Sequence, residues 1–164
     1  MEKIELTPIG VIHSPFREPG ETPIQAAHSG GAEATVEIYE KYAEGLDDLD
    51  GFDCIWILWY SHRAGPSPLK VVPYMDTRQR GVFATRAPSR PNPIGLSRVR
   101  LKRREHNKLV VSGVDMIEGT PVLDLKPYIS AIDASPGCER DGWLAGRNMK
   151  KRADNRFAKK PRGS

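Results

Sequence analysis

The chain has 164 residues but only two cysteines, Cys54 and Cys138, with no partner spacing for a zinc site. A disulfide framework and iron–sulfur or radical chemistry are therefore not expected, and a reducing cytoplasmic compartment is the simpler reading. Long hydrophobic runs are also lacking. The longest, Cys54 to Tyr60, falls well short of the roughly 20 residues of a membrane-spanning helix. Met1 to Glu5 has neither the basic start nor the apolar run of a signal peptide. A soluble protein with no membrane partner is expected. No glycine-rich turn links a strand to a helix: the nearest candidate, Gly30-Gly31, runs into a strand pattern, which excludes a Rossmann-type cofactor site. There is no Walker loop. The four histidines, His13, His28, His62 and His106, show no ligand spacing, so no metal is expected. No serine sits in a nucleophile elbow and no Cys–His pair is legible. The chain is then either a binding module or an enzyme whose chemistry needs no protein nucleophile.

What the sequence does contain is segregated charge, hidden in a net +4. Glu33 to Asp53 holds eight acids against Lys41 alone; Arg78 to Lys108 holds ten Lys or Arg against Glu105 alone. Glu139 to Ser164 adds nine basic residues against three acids. A basic face and a polyanionic partner follow.

The length fits one domain. Leu6 to Ser14 reads as a strand, followed by a loop to about Gly31 and a half-buried strand from Ala34 to Tyr39. An acidic helix is predicted from Lys41 to Leu49. Phe52 to Tyr60, with Ile55 to Trp59 unbroken, reads as a central strand buried on both faces, with His62 and Arg63 emerging at its end. Leu69 to Tyr74 and Gly81 to Thr85 read as short strands. Leu96 to Arg104 alternates, with Val99 and Leu101 on one side and Arg98, Arg100 and Lys102 on the other, and pairs with Lys108 to Val114 as a hairpin. Gly119 to Ile132 is the last ordered region. The expected fold is all-β: a single closed β-barrel with short peripheral helices, not a Rossmann fold, over residues 1–136. Residues 137–164 are expected to form a basic C-terminal extension, a peripheral helix followed by a disordered end, with Trp143, Leu144 and Phe157 as its only large anchors.

The segment Thr85 to Ser97 is stiffened by alternating prolines before any ligand arrives, which reduces the entropy lost on binding. Gly95 permits close backbone approach. Arg86 and Arg90 carry planar forks suited to carboxylate or phosphate; Arg90 and Asn92 equally suit holding the loop, a dimer partner or RNA.

Several separated motifs share one order: Ile9 to Pro15, Gly51-Phe52 with the aromatic strand to His62, Gly81 to Arg86, Arg90 to Ser97, and Gly119 to Tyr128. Over Pro8 to Ile132 the chain resembles the TrmO, or TsaA-like, family of S-adenosylmethionine-dependent tRNA methyltransferases, which N6-methylate threonylcarbamoyladenosine at position 37. The resemblance implies a β-barrel homodimer, cytoplasmic, with cofactor pockets near the subunit interface. It places cofactor contacts at Pro23, Ile24, Gln25, His62, Arg63, Arg86, Leu96, Thr120, Pro121, Val122 and Leu123. Leu96 and Val122 suit apolar walls for adenine, and an arginine suits the methionine carboxylate. The chain departs from the family in having Glu118 where aspartate is usual. It also ends soon after the barrel, so the basic tail is expected to replace the tRNA affinity of a further C-terminal domain.

Direct in-line methyl transfer from a sulfonium requires alignment, not a nucleophile. The acceptor N6 must lose a proton, and Asp115, Asp124, His62 and Tyr128 all have suitable chemistry; the catalytic residue stays open, since Asp115 and Asp124 also suit anchoring the barrel end. The partner is expected to be the tRNA anticodon loop, its phosphates met by Arg78, Arg80, Arg98, Arg100 and Lys102 to Arg104. Tyr74 and Phe83 are candidates to stack an unstacked base. A non-catalytic RNA-binding barrel, or a methyltransferase acting on a small molecule, would carry many of the same features.

Overall fold

A computed structural model describes residues 3–25, 29–134, 137–147 and 152–159. Six strands close into a barrel: β1 (Gly10–His13), β2 (Glu33–Ile38), β3 (Cys54–Tyr60), β6 (Ile94–Glu105), β7 (Lys108–Ser112) and β8 (Thr120–Pro127), in the order β1-β2-β7-β6-β3-β8. Antiparallel pairing of β8 with β1 completes the closure. The short strands β4 (Lys70–Val71) and β5 (Arg80–Gly81) form a separate two-stranded sheet beside it. The only α-helix among the described residues is α1 (Ser130–Asp133), and no helix among them is long and apolar enough to cross a membrane.

The barrel closes because each strand alternates. Ile12, Val36, Ile38, Val99, Leu109, Val111 and Val122 point inward into one cluster with Val114 and Met116. Full burial of each such side chain contributes about 1.5–3 kcal/mol. Strands β6 and β7 join through a two-residue turn in which His106 takes the left-handed conformation (φ 54°). Two bulges bend the walls. Lys102 is the extra residue where β6 pairs with β7, and Leu123 the extra residue where β8 pairs with β3.

The structure corrects three local expectations. Strand β3 is buried on one face only: Ile55 and Ile57 are fully enclosed and Trp59 packs against the same core at the barrel end, whereas Trp56 and Leu58 on the other face are half-buried, because the outer face of a single barrel meets loops rather than a second layer. The predicted helix over Lys41 to Leu49 is a pair of 3-10 turns, Glu40–Leu46 and Leu49–Gly51. The strand predicted for Gly81 to Thr85 ends at once in a 3-10 turn, Val82–Ala84.

Where a peripheral helix is expected, the described residues of the tail have 3-10 turns at Gly142–Leu144 and Asn155–Phe157. Phe157 is 8% exposed and packs with Val71, Val82 and Ala87 in a second apolar cluster beside the barrel. One buried aromatic holds a segment whose charge alone reads as solvated. Pro136, the expected limit of the barrel domain, and residues 148–151 and 160–164 of the extension lie outside the described residues, as does His28.

Candidate active site

A cavity of about 1490 Å³ is lined by residues of β3 and β6 and of the loops that follow β1, β3, β5 and β7. That exceeds the roughly 300–1,000 Å³ of a pocket for one small molecule, leaving room for a cofactor and part of a second substrate. Pro23, Ile24, Gln25, Arg63, Arg86 and Leu96 all line it, although they come from four separate stretches of chain.

Local hydrogen bonding fixes how these side chains are presented. The Thr85 hydroxyl donates to the Val82 carbonyl at 2.8 Å and accepts from the Ala87 amide at 3.3 Å, setting the turn that carries Arg86. The Arg86 guanidinium donates to Gln25 Oε1, and Gln25 Nε2 donates to the Ile24 carbonyl at 2.7 Å. Arg86 has no acidic partner among the described residues. Arg63 differs: it donates to the Arg17 carbonyl at 2.7 Å and to Glu18 Oε2 at 2.9 Å, so its charge is already answered. Leu96 points outward from β6 and is 59% exposed, an apolar wall opposite those polar groups.

The floor rests on Trp59. Its Nε1 donates to Ser97 Oγ at 2.9 Å, and Ser97 Oγ donates to Asp115 Oδ1 at 2.5 Å. Asp115 lines the cavity; Asp124 and Tyr128 do not. Asp124 instead pairs with Lys126 at 2.8 Å, and Tyr128 packs edge-on to Trp56 beneath Arg98. Gly95 permits close approach, but by the Trp59 ring rather than a ligand.

The other predicted contacts lie elsewhere. His62 does not line the cavity; its Nδ1 is buried with no partner among the described residues, and burial, then the Arg63 charge, holds its pKa below the ordinary histidine value. Thr120 is 1% exposed, its hydroxyl donating to the Ile117 carbonyl at 2.7 Å. Val122 belongs to the core, and none of Thr120 to Leu123 lines the cavity of the single chain. Glu118 spans to the end of β1, accepting from the Ser14 amide at 2.6 Å and meeting His13 Nδ1 at 3.1 Å. Burial opposes ionisation there, but the Ser14 amide and His13 outweigh it and lower the pKa.

Of the two stacking candidates, Tyr74 is engaged. Its ring meets Phe157 edge-on at 5.1 Å, its hydroxyl donates to the Asp154 carbonyl at 3.4 Å, and burial, then the Asp154 charge, pushes its pKa up to about 12. Phe83 is 76% exposed on the cavity rim. Trp143 also lines the cavity. Its Nε1 donates to the Ala84 carbonyl at 2.7 Å, and Arg80 and Arg147 flank the ring. Both arginines converge on buried Asp76, at 2.7 and 3.3 Å. Burial opposes its charge, but Arg80, the Arg78 and Thr77 amides and Arg147 prevail and hold the carboxyl at about 2. Sequence spacing carries no signal for this cluster, because its members lie up to 71 residues apart along the chain, from Asp76 to Arg147.

The closed barrel carries an arginine-bearing cavity, and no strand among the described residues runs through a glycine-rich turn into a helix. Residues 11–134 match the model of the tRNA-methyltransferase O N-terminal domain, and the chain belongs to that family. It is 48% identical over 154 residues to a probable S-adenosyl-L-methionine-binding protein of Pyrococcus abyssi, covering 92% of this chain and 83% of that one. It is 37% identical over 134 residues to the human tRNA (adenine(37)-N6)-methyltransferase, covering 77% of this chain but only 30% of the human protein. The crystal structure of TrmO from Pseudomonas aeruginosa superposes with a TM-score of 0.72 at 37% identity, covering 87% of this chain. This chain spans 63% of that crystallised one.

Proposed function

We propose that the protein binds S-adenosylmethionine in the β3–β6 cavity and N6-methylates threonylcarbamoyladenosine at position 37 of tRNA by direct in-line transfer. The observation that carries this reading is the convergence of Pro23, Ile24, Gln25, Arg63, Arg86 and Leu96 on one cavity. When bound, the cofactor supplies a methyl group already activated on a sulfonium, so the transfer requires no protein nucleophile. Arg86, with no acid of its own among the described residues, suits the methionine carboxylate, and Gln25 orients its fork. Ile24 and Leu96 suit the faces of an adenine ring. Asp115 lines the cavity and its carboxylate, which accepts from Ser97, suits uptake of the N6 proton.

Pro121 and Leu123 face outward from β8, away from the interior that holds Thr120 and Val122. In our reading this segment reaches the cofactor from the second subunit of a cytoplasmic homodimer. The exposed Phe83 and the outward arginines of β6 suit an unstacked anticodon-loop base and its neighbouring phosphates.

The test is mass spectrometry of tRNA nucleosides from strains with and without the gene. Loss of N6-methyl-threonylcarbamoyladenosine on deletion, and its formation by purified protein from S-adenosylmethionine and unmethylated tRNA, are expected. Cofactor binding with unchanged tRNA nucleosides would favour a small-molecule acceptor. RNA binding without cofactor binding would leave a non-catalytic RNA module.

A further inference from the structure

The loops that carry Gln25, Arg63 and Arg86 share no strand pairing among the described residues and meet through side chains, Arg86 with Gln25 and Arg63 with Arg17 and Glu18. Residues 152–159, at the far end of the chain, run past all three. Arg152 forms an isolated β-bridge with Pro23, and Ala158 another with Ala64. The Ala153 amide donates to the Thr22 carbonyl at 3.0 Å, and the Lys159 amide to the Arg63 carbonyl at 3.0 Å. One acceptor joins two loops: the Phe157 carbonyl receives the Gly65 amide at 2.8 Å and the Ser89 hydroxyl at 3.0 Å. The approach is close enough that a Cβ at Gly65 would lie 2.9 Å from the Ala158 oxygen. The Phe157 ring anchors the segment from beneath, against Val71, Val82 and Ala87.

Two cations of this segment, though exposed, are engaged by the protein's own groups. Arg156 is held by Asp154 at 2.7 Å, donates to the Pro73 carbonyl at 2.8 Å and lies over the Tyr74 ring. Lys159 Nζ donates to the His62 carbonyl at 3.1 Å. Two of the basic residues expected to meet RNA phosphates are thus spent on the protein's own backbone.

We infer that residues 152–159 are a positioning strap of the cofactor cavity, with Phe157 as its anchor, so that the arrangement of Gln25, Arg63 and Arg86 depends on it. The physical reason is preorganisation: three loops held in one geometry before binding lose little entropy on binding, whereas released loops must be ordered by the ligand. Phe157 packs in the cluster beside the barrel and not in the barrel core, so its loss is expected to leave the barrel wall intact.

The inference rests on the cofactor reading above, and the experiment separates the two. S-adenosylmethionine is titrated calorimetrically into the full-length chain and its Phe157→Ala and Phe157→Leu variants, alongside amide hydrogen exchange. Phe157→Ala is expected to weaken binding tenfold or more and to speed exchange at Gly65 and Ala153, while the amides of β3 and β6 keep their protection. Phe157→Leu, which still fills the apolar cluster, is expected to recover binding to within about threefold of the unaltered chain. Binding by Phe157→Ala within twofold of the unaltered chain overturns the inference. Parallel loss of protection in β3 and β6 also overturns it, because Phe157 would then support the whole fold. Absence of binding by the unaltered chain refutes the cofactor reading itself, and the strap's role with it.

Discussion

The indole of Trp59 fills the space that a side chain at Gly95 would need: a Cβ built on Gly95 would lie 2.0 Å from the ring. The two residues face each other across the β3–β6 ladder, and the indole is held there by its bond to Ser97. Gly95→Ala therefore has to displace a half-buried tryptophan or bend β6. Overpacking of this kind costs about 1–3 kcal/mol. Thermal or urea denaturation should show that loss, whereas an unchanged melting temperature would mean that the ring moves aside freely.

Arg86→Lys keeps the charge but loses the planar fork. If Arg86 binds the methionine carboxylate, calorimetry should show S-adenosylmethionine binding weakened by about 1.5–3 kcal/mol, the value of a charged hydrogen bond. Gln25→Ala, which leaves the guanidinium in place but unoriented, should lose less. Equal affinity in Arg86→Lys would remove Arg86 from the cofactor site.

The barrel was legible in the sequence because strand periodicity is local: Val99 and Leu101 against Arg98 and Arg100 already separate core from surface. What was not legible depends on distant partners. Gly95 reads as room for a ligand until Trp59 is known to lie on it. Arg156 and Lys159 read as solvated tail until Phe157 is seen to dock beside Val82. Tyr74 reads as a stacking surface until that same docking covers it. The family resemblance supplied candidate positions for the cofactor, six of which share a cavity, but it could not show that Thr120 and Val122 turn inward.

Asp115→Asn preserves the shape and the acceptor that meets Ser97 but removes the carboxylate that our reading makes the proton acceptor. Methyl transfer to tRNA should fall about 100-fold or more, with cofactor affinity within threefold of the unaltered protein. The acid limb of the pH–rate profile should vanish in the variant. A drop in turnover with that limb retained would reduce Asp115 to support for Ser97 and Trp59.

Asp76 sets a pH dependence on the anchoring of Trp143. Its folded pKa of about 2 lies below the ordinary 3.8, so protons bind more tightly to the unfolded chain and folding is favoured as pH rises. The contribution is complete above about pH 5 and is lost as pH falls through 3.8 toward 2. Asp76→Asn should thus melt at a lower temperature than the unaltered protein at pH 7, with the gap narrowing between pH 5 and pH 3. A gap independent of pH would trace the loss to packing instead of the ion pairs with Arg80 and Arg147.

The basic run of β6 divides into two groups by what faces each side chain. Arg103 is paired with Glu105 at 2.6 Å, and Arg104 with Asp47 at 3.0 Å and the Leu46 carbonyl. Arg98, Arg100 and Lys102 are exposed and have no acidic partner among the described residues. Counterions gather on unneutralised charge, and each phosphate contact adds about 0.7 to the slope of log affinity against log salt for a single strand. Replacing Arg98, Arg100 and Lys102 by alanine should lower that slope for tRNA by about 2. Replacing Arg103 and Arg104 should lower it by less than half as much, since each removal also frees an acid. Equal changes in the two variants would mean that the ion pairs open on RNA binding, and that the whole length of β6 contacts the phosphates.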